Sequence, residues 1–285
     1  MKFEDMINTI QLGNCYELIK DIPDKSIDLV YIDPPYEYTT GGCGKNQNGE
    51  YKQLCERKYK NRAVLEGKIY GHGANKDIVK IANEIRNISD GFDFKILDEL
   101  ENKMKKTNIY IWCSRKQVSK LMKYYEEKNY NVDLLTWHKD DPIPMCGNSY
   151  LSDTEYCVFA RAEQVPLYGS VSTKKKYYVS HCNREDKKSY LHPTIKPLEV
   201  VKNHIINSSK ENDIVLDCFC GSGTTCVACK ETGRRYIGME IDKEYWKIAN
   251  NRINGIEASG QMTIMFDDKG DILNEWYTRT NKTST

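Results

Sequence analysis

Long apolar runs are missing from this chain. The longest, Ile109 to Cys113, holds about five residues, whereas a membrane-spanning helix needs about 20. A spanning helix is excluded, and no membrane partner is expected. The first residues, with Glu4 and Asp5, carry neither the basic stretch nor the apolar stretch of an export signal, so the expected location is cytoplasmic. An excess of one charge is also absent. Lys and Arg number 42 against 41 Asp and Glu, a net charge of +1, and that balance alone singles out no partner. There is no internal repeat. What remains is globular: 39% hydrophobic and 29% charged residues, with a mean hydropathy of −0.68, are too apolar for disorder. The 285 residues suffice for a sizeable core. At roughly 150 residues per domain they suit one large domain or two small ones.

The cysteine count is odd, at 11, which fits free thiols in a reducing compartment. Cys218, Cys220, Cys226 and Cys229 cluster, but without the paired C-x-x-C knuckles of a zinc site, so no metal is expected. Charge is uneven along the chain. Residues 41–76 and residues 161–196 each hold eight Lys/Arg against three Asp/Glu, leaving an acidic remainder. Two basic segments on an acidic body suit a polyanion-binding cleft, and they equally suit two solvated loops.

Apolar runs alternate with helical patterns, the signature of an α/β sheet. Strands are expected at Ile10–Gly13, Ile27–Asp33, Asn108–Cys113, Val132–Trp137, Glu155–Ala160, Asp213–Asp217 and Tyr236–Ile241, seven in all. Ser114 and Gln117 form a capping box, followed by Val118, Leu121, Met122 and Tyr125 at helical spacing. Pro197 suits a first helical position, with Leu198, Val201 and Ile205 behind it. A helix from Thr224 to Thr232 should stop at Gly233, and another should run from Lys243 to Asn254. Two stretches break the alternation: a Gly-rich basic insert at 37–75 and the segment 161–191. Both read as long loops. The tail from Thr278 to Thr285 reads as frayed.

Two motifs carry chemistry. Val215 to Asp217 is a buried strand that runs into Cys218-Phe219-Cys220-Gly221-Ser222-Gly223-Thr224, a Gly-x-Gly turn and a helix start. Glycines there let a ligand approach the backbone, and Glu240, 19 residues after Gly221, is placed to bond ribose hydroxyls. The P-loop ending and the third glycine of the dinucleotide fingerprint are both absent. A nucleoside-cofactor half-site and a plain strand-to-helix turn both fit. The second motif is Leu29 to Tyr36, an apolar strand ending in Asp33-Pro34-Pro35-Tyr36. The prolines leave the ladder and fix the chain. A carboxylate, a fixed carbonyl and an aromatic face would grip a planar amino-bearing ring. A strand-terminating turn with a buried tyrosine fits equally.

Taken together, the motifs carry a resemblance. Asp33-Pro34-Pro35-Tyr36 resembles the catalytic motif of the DNA amino-methyltransferases, and Phe219-Cys220-Gly221-Ser222-Gly223 resembles their S-adenosylmethionine motif. His192-Pro193-Thr194-Ile195-Lys196-Pro197, and Trp137-His138-Lys139 with Pro142 to Pro144, are similar to two further segments of that family. The order, catalytic motif first and cofactor motif last, is that of its permuted beta group, common in restriction-modification systems. The match covers roughly residues 10–36, 108–160 and 192–254.

The resemblance implies a single domain over 1–285 with a seven-stranded, mostly parallel, Rossmann-like sheet, helices on both faces and inserted DNA-recognition loops. It also implies that Ile10–Gly13 lies beside the Glu240 strand. The catalytic residues would be Asp33, Pro34, Pro35 and Tyr36. S-adenosylmethionine would be held by Asn14, Cys15, Asp33, Thr194, Lys196, Asp217, Phe219, Cys220, Gly221, Ser222, Gly223, Thr224 and Glu240, with Lys196 on its methionine carboxylate. Asn14 departs from the aspartate usual at its position. Double-stranded DNA would be the substrate, contacted by Lys174, Lys175 and Lys176 of the target-recognition segment 161–191 and by Arg57 and Arg62 of the insert. A homodimer and a cognate restriction endonuclease are conceivable further partners.

The implied reaction is methylation of adenine N6 in a flipped-out base. Asp33 and the Pro34 carbonyl would accept the amine's two N–H bonds while Tyr36 stacks on the ring. Cytosine N4 is the alternative target, although cytosine enzymes of the family usually carry serine where Asp33 stands. RNA or protein-amide methylation fits less well, because those relatives carry asparagine there. A non-catalytic nucleic-acid-binding protein on the same fold is the reading from a different class.

Overall fold

The computed structural model describes residues 2–37, 91–142, 150–183, 190 and 195–256. Thr194, Arg57, Arg62, all of the 37–75 insert except Glu37, the residues from His192 to Thr194, Pro144 and the tail lie outside the described residues.

One sheet organises the chain. Its strands run in the order β1 (Thr9–Leu12), β8 (Arg235–Glu240), β7 (Ile214–Asp217), β2 (Leu29–Ile32), β3 (Asn108–Cys113), β5 (Thr154–Arg161), β4 (Asn131–Lys139) and β6 (Tyr177–Ser180). Only β5 runs antiparallel to its neighbours, and every other pairing is parallel. All residues of β2, β3 and β7 are buried. Parallel strands covered on both faces need such continuous apolar runs, which is why they were legible as strands.

The two faces carry two separate cores. Val30, Ile32, Ile109 and Ile111 point into one, with α1 (Phe3–Met6), α2 (Cys15–Leu18), α3 (Lys95–Lys103) and α4 (Arg115–Glu126) packed over them. Leu29, Tyr31, Tyr110 and Trp112 point into the other, beneath α5 (Leu198–Ser208), α6 (Thr224–Glu231) and α7 (Lys243–Ile253). The capping box at Ser114 and Gln117 opens α4, and Leu121 and Tyr125 are buried along it. Pro197 stands one residue before α5 rather than inside it. Helix α3 was missing from the sequence reading, although Ile96, Leu97 and Leu100 bury one face of it.

Among the described residues the sheet has eight strands, where seven were expected. The extra strand, β6, lies within the 161–191 segment, so that segment is not a loop throughout. It pairs parallel with β4 at the sheet edge, Trp137 opposite Tyr178. With only four residues, half of them exposed, it left no apolar run to recognise. At the other edge β1 pairs with β8, Leu12 opposite Glu240, as the permuted order implied. The first strand of the chain therefore completes the wall begun by its last.

Candidate active site

The C-terminal ends of β1, β8, β7 and β2 face one cavity of about 560 Å³, lined among others by Asn14, Asp33, Tyr36, Asp217, Gly221 and Glu240. This is the edge at which open α/β sheets bind ligands, and the volume is within the ~300–1,000 Å³ of small-molecule sites.

One wall is the glycine turn. Asp217 ends β7, and its carboxylate accepts from Phe219 N at 3.0 Å. Gly221 (φ +51°) donates its N–H to Glu240 Oε2 at 2.8 Å, and Asp242 N donates to Glu240 Oε1 at 2.8 Å. Each Glu240 oxygen keeps a second lone pair, the chemistry a ribose hydroxyl requires. Burial pushes the Glu240 carboxyl above the usual carboxylate range. Asp217 is raised further, to about 7, by burial that its bonds to Thr225 and Phe219 N only partly offset. Asn14 caps α2 by accepting from Tyr16 N at 3.0 Å, and Cys15 lines the cavity beside it. Cys220, Ser222, Thr224 and Phe219 also line the cavity. The Ser222 and Thr224 hydroxyls are turned toward α7, where buried Arg252 donates to both.

Gly223 does not line the cavity. It has φ +80°, and a Cβ there would stand 3.0 Å from Ala249 Cβ on α7. Its glycine is needed for the left-handed turn and for packing against α7.

The other wall is the corner after β2. Pro34 is buried. Gln117 clamps the segment from α4: its Oε1 accepts from Glu37 N at 3.1 Å and from Ser114 N at 3.0 Å. Lys120 pairs with Glu37 at 2.8 Å. Asp33 is half-buried, and Lys196 Nζ lies 2.5 Å from its Oδ2. Lys196 is not a surface lysine: it lines the cavity with its ammonium turned to Asp33. It is 5% exposed and also pairs with Glu155 Oε2 at 3.1 Å. Sequence reasoning missed Glu155 and the second role of Gln117. Glu155 carried no motif, and Gln117 was recognised only as a helix cap.

Lys174, Lys175 and Lys176 are exposed, but they precede β6, which runs parallel to β4 at the edge of the sheet. They lead into β6, whose first residue, Tyr177, lies opposite Thr136 in the C-terminal half of β4, and none of the three lines the cavity. Lys176 pairs with Asp133. Arg115 and Lys116, at the start of α4, are further basic residues on the side of Glu37.

A doubly wound sheet with a glycine turn and an acidic corner at one cavity is the architecture of nucleoside-cofactor enzymes. Residues 27–251 match the model of the N6/N4 methyltransferase family, described as DNA methylase. The chain belongs to that family. It is 28% identical to the Type II methyltransferase M.HinfI of Haemophilus influenzae, over 90% of this chain and 70% of that protein. It is 27% identical to the Type II methyltransferase M2.LlaDCHI of Lactococcus lactis subsp. cremoris, over 85% and 87%. Its fold is similar to that of the M1.HpyAVI–SAM complex, with a TM-score of 0.57 at 23% identity over 86% of this chain and 98% of that one. It is likewise similar to the PvuII DNA methyltransferase (cytosine-N4-specific), with a TM-score of 0.56 at 15% identity over 85% of each chain. No helix among the described residues is long and apolar enough to cross a membrane.

Proposed function

We propose that this chain transfers the methyl group of S-adenosylmethionine to the exocyclic N6 of adenine in double-stranded DNA. The observation that carries this reading is one cavity bounded by both the Gly221–Glu240 turn and the Asp33–Tyr36 corner. S-adenosylmethionine, when bound, supplies an electrophilic methyl on its sulfonium. Glu240 offers its remaining lone pairs to the ribose hydroxyls, and Gly221 leaves the backbone approachable. Asn14, Cys15 and Phe219 complete that side.

An adenine amine is a poor nucleophile because its lone pair is delocalised into the ring. Asp33 and the Pro34 carbonyl accept its two N–H bonds and orient the lone pair, a contribution of positioning and electrostatics. The base must leave the duplex, at a cost of a few kcal/mol. Stacking on Tyr36 offsets about 1–3 kcal/mol of this. Arg115 and Lys116, at the start of α4, would supply contacts to the phosphates flanking the flipped base. Asp33, rather than serine, favours adenine over cytosine.

The test is nucleoside analysis of DNA incubated with the full chain and radiolabelled S-adenosylmethionine. The label is expected in N6-methyladenine, with Asp33→Ala at least about a thousandfold slower, or about 4 kcal/mol. Label in N4-methylcytosine would overturn the base assignment. No label, or an active Asp33→Ala variant, would overturn the catalytic reading.

A further inference from the structure

Four charged side chains from four parts of the chain meet behind the corner. Lys139, at the end of β4, pairs with Glu155 Oε1 at 2.6 Å. Glu155, on β5, pairs through its other oxygen with Lys196 Nζ at 3.1 Å. Lys196, just before α5, reaches Asp33 Oδ2 at 2.5 Å across 163 residues of sequence. The Lys196 ammonium also lies 5.3 Å from the Tyr36 ring centre and 5.1 Å from that of Trp112. An ammonium has three donors, and this one stands among two carboxylates and two aromatic faces.

We propose that Lys196 is a positioning residue for Asp33, and that Glu155, anchored by Lys139, holds Lys196 in that role. The proposal rests on Asp33 being the acceptor for the substrate amine. A carboxylate at a proline corner has freedom about its side-chain torsions, and a fixed ammonium on one oxygen removes it. The ammonium also keeps Asp33 ionised. Burial pushes the Asp33 carboxyl up, and Lys196 works against that shift. Burial also opposes the charge on Lys196, but Asp33 and Glu155 together hold it above the ordinary lysine range.

Among the described residues, the titratable groups facing Asp33 from the packed elements are Tyr31 and Tyr36 of its own segment, Cys113 of β3, Glu155 and Cys157 of β5, Asp217 of β7 and Lys196. Lys196 is the one cation among them. Without it, Asp33 and Glu155 face each other as like charges. Asp33 would then take up a proton, and a neutral acid is a weaker acceptor for the amine N–H and lacks the charge that helps to orient it.

The relay can be read without DNA or cofactor. In the full chain with 13C-labelled aspartate carboxyls, Lys196→Met should raise the titration midpoint of Asp33 by about 1–3 pH units. Lys196→Arg should restore it. The reciprocal variant, Asp33→Asn, is nearly isosteric and should lower the titration of the Lys196 ammonium, followed by 15N shifts. An unmoved Asp33 in folded Lys196→Met would overturn the proposal. If that variant does not fold, an unmoved Lys196 in Asp33→Asn would do the same. The acid limb of kcat against pH should shift upward in Lys196→Met, with affinity for S-adenosylmethionine within about threefold of the parent. A loss of affinity larger than about 30-fold with an unmoved acid limb would return Lys196 to the cofactor. Failure of the parent chain to methylate DNA would refute the functional reading alone, because the carboxyl titration is measured independently of it.

Discussion

The two walls of the cavity are built over different lengths of chain. The hydrogen bonds that shape the glycine turn span 2 residues from Phe219 to Asp217, 19 from Gly221 to Glu240 and 30 from Arg252 to Ser222. Those that shape the Asp33–Tyr36 corner span 80 residues from Glu37 to Gln117, 83 from Lys120 to Glu37 and 163 from Lys196 to Asp33. The turn is a local structure that a strand, two helix starts and two glycines impose. The corner is a local stiffness, from two prolines, whose electrostatics are supplied by distant partners. Damage to the turn should therefore appear first as lost stability, and damage to the corner as altered chemistry in a folded protein.

The largest stability effect is expected from Gly223→Val. The left-handed backbone costs about 1–3 kcal/mol for a side chain, and crowding Ala249 adds about 1–3 more. Thermal unfolding should show a fall of several degrees without any ligand. A variant that melts like its parent but no longer binds S-adenosylmethionine would move Gly223 back to the cofactor.

Asp217→Asn comes next, and it sharpens the comparison through pH. The folded Asp217 carboxyl titrates near 7 instead of the ordinary 3.8, because burial penalises its anion. Its contribution to stability is thus fully present below about pH 3.8, declines as pH rises toward about 7 and is level above that. Roughly 2–4 kcal/mol is at stake. Asparagine can still accept from Phe219 N, so melting temperatures of the variant should lose that slope. An unchanged slope would mean that another group carries it.

Gln117→Ala tests the corner. The Glu37 and Ser114 N–H groups would lose their acceptor, at about 1–3 kcal/mol. Methyl transfer should fall about tenfold or more in kcat while the affinity for S-adenosylmethionine holds. Equal losses in both would make the clamp a general packing feature.

The smallest effect is expected from Lys174→Gln with Lys175→Gln. They stand at the sheet edge and do not line the cavity, so their loss should change DNA affinity and its salt dependence less than loss of the basic pair beside the corner. Arg115→Gln with Lys116→Gln should flatten the slope by up to about 0.9 log units per lost phosphate contact. The reverse ranking in a salt titration would place the recognition surface at β6.

The strands β2, β3 and β7 were legible because burial on both faces demands an unbroken apolar run, and such a run is visible in any short window of sequence. The turn at Gly221 and its partner Glu240 were legible for a related reason: strand, turn and next strand follow one another within 27 residues, from Ile214 to Glu240. The acidic corner announced itself through Asp33 and its prolines. The four-residue edge strand β6 did not, since half of it faces solvent and leaves no pattern. The place of Lys174 to Lys176 depended on that strand's direction, which only its pairing with β4 sets. Gly223 is legible as a turn glycine, but the Ala249 backbone and side chain that a Cβ would meet there are not. Lys196 and Glu155 lie furthest from any reading of the chain. Charge attraction acts through space, and which lysine meets which carboxylate is fixed when β5, β2 and the entry to α5 pack together.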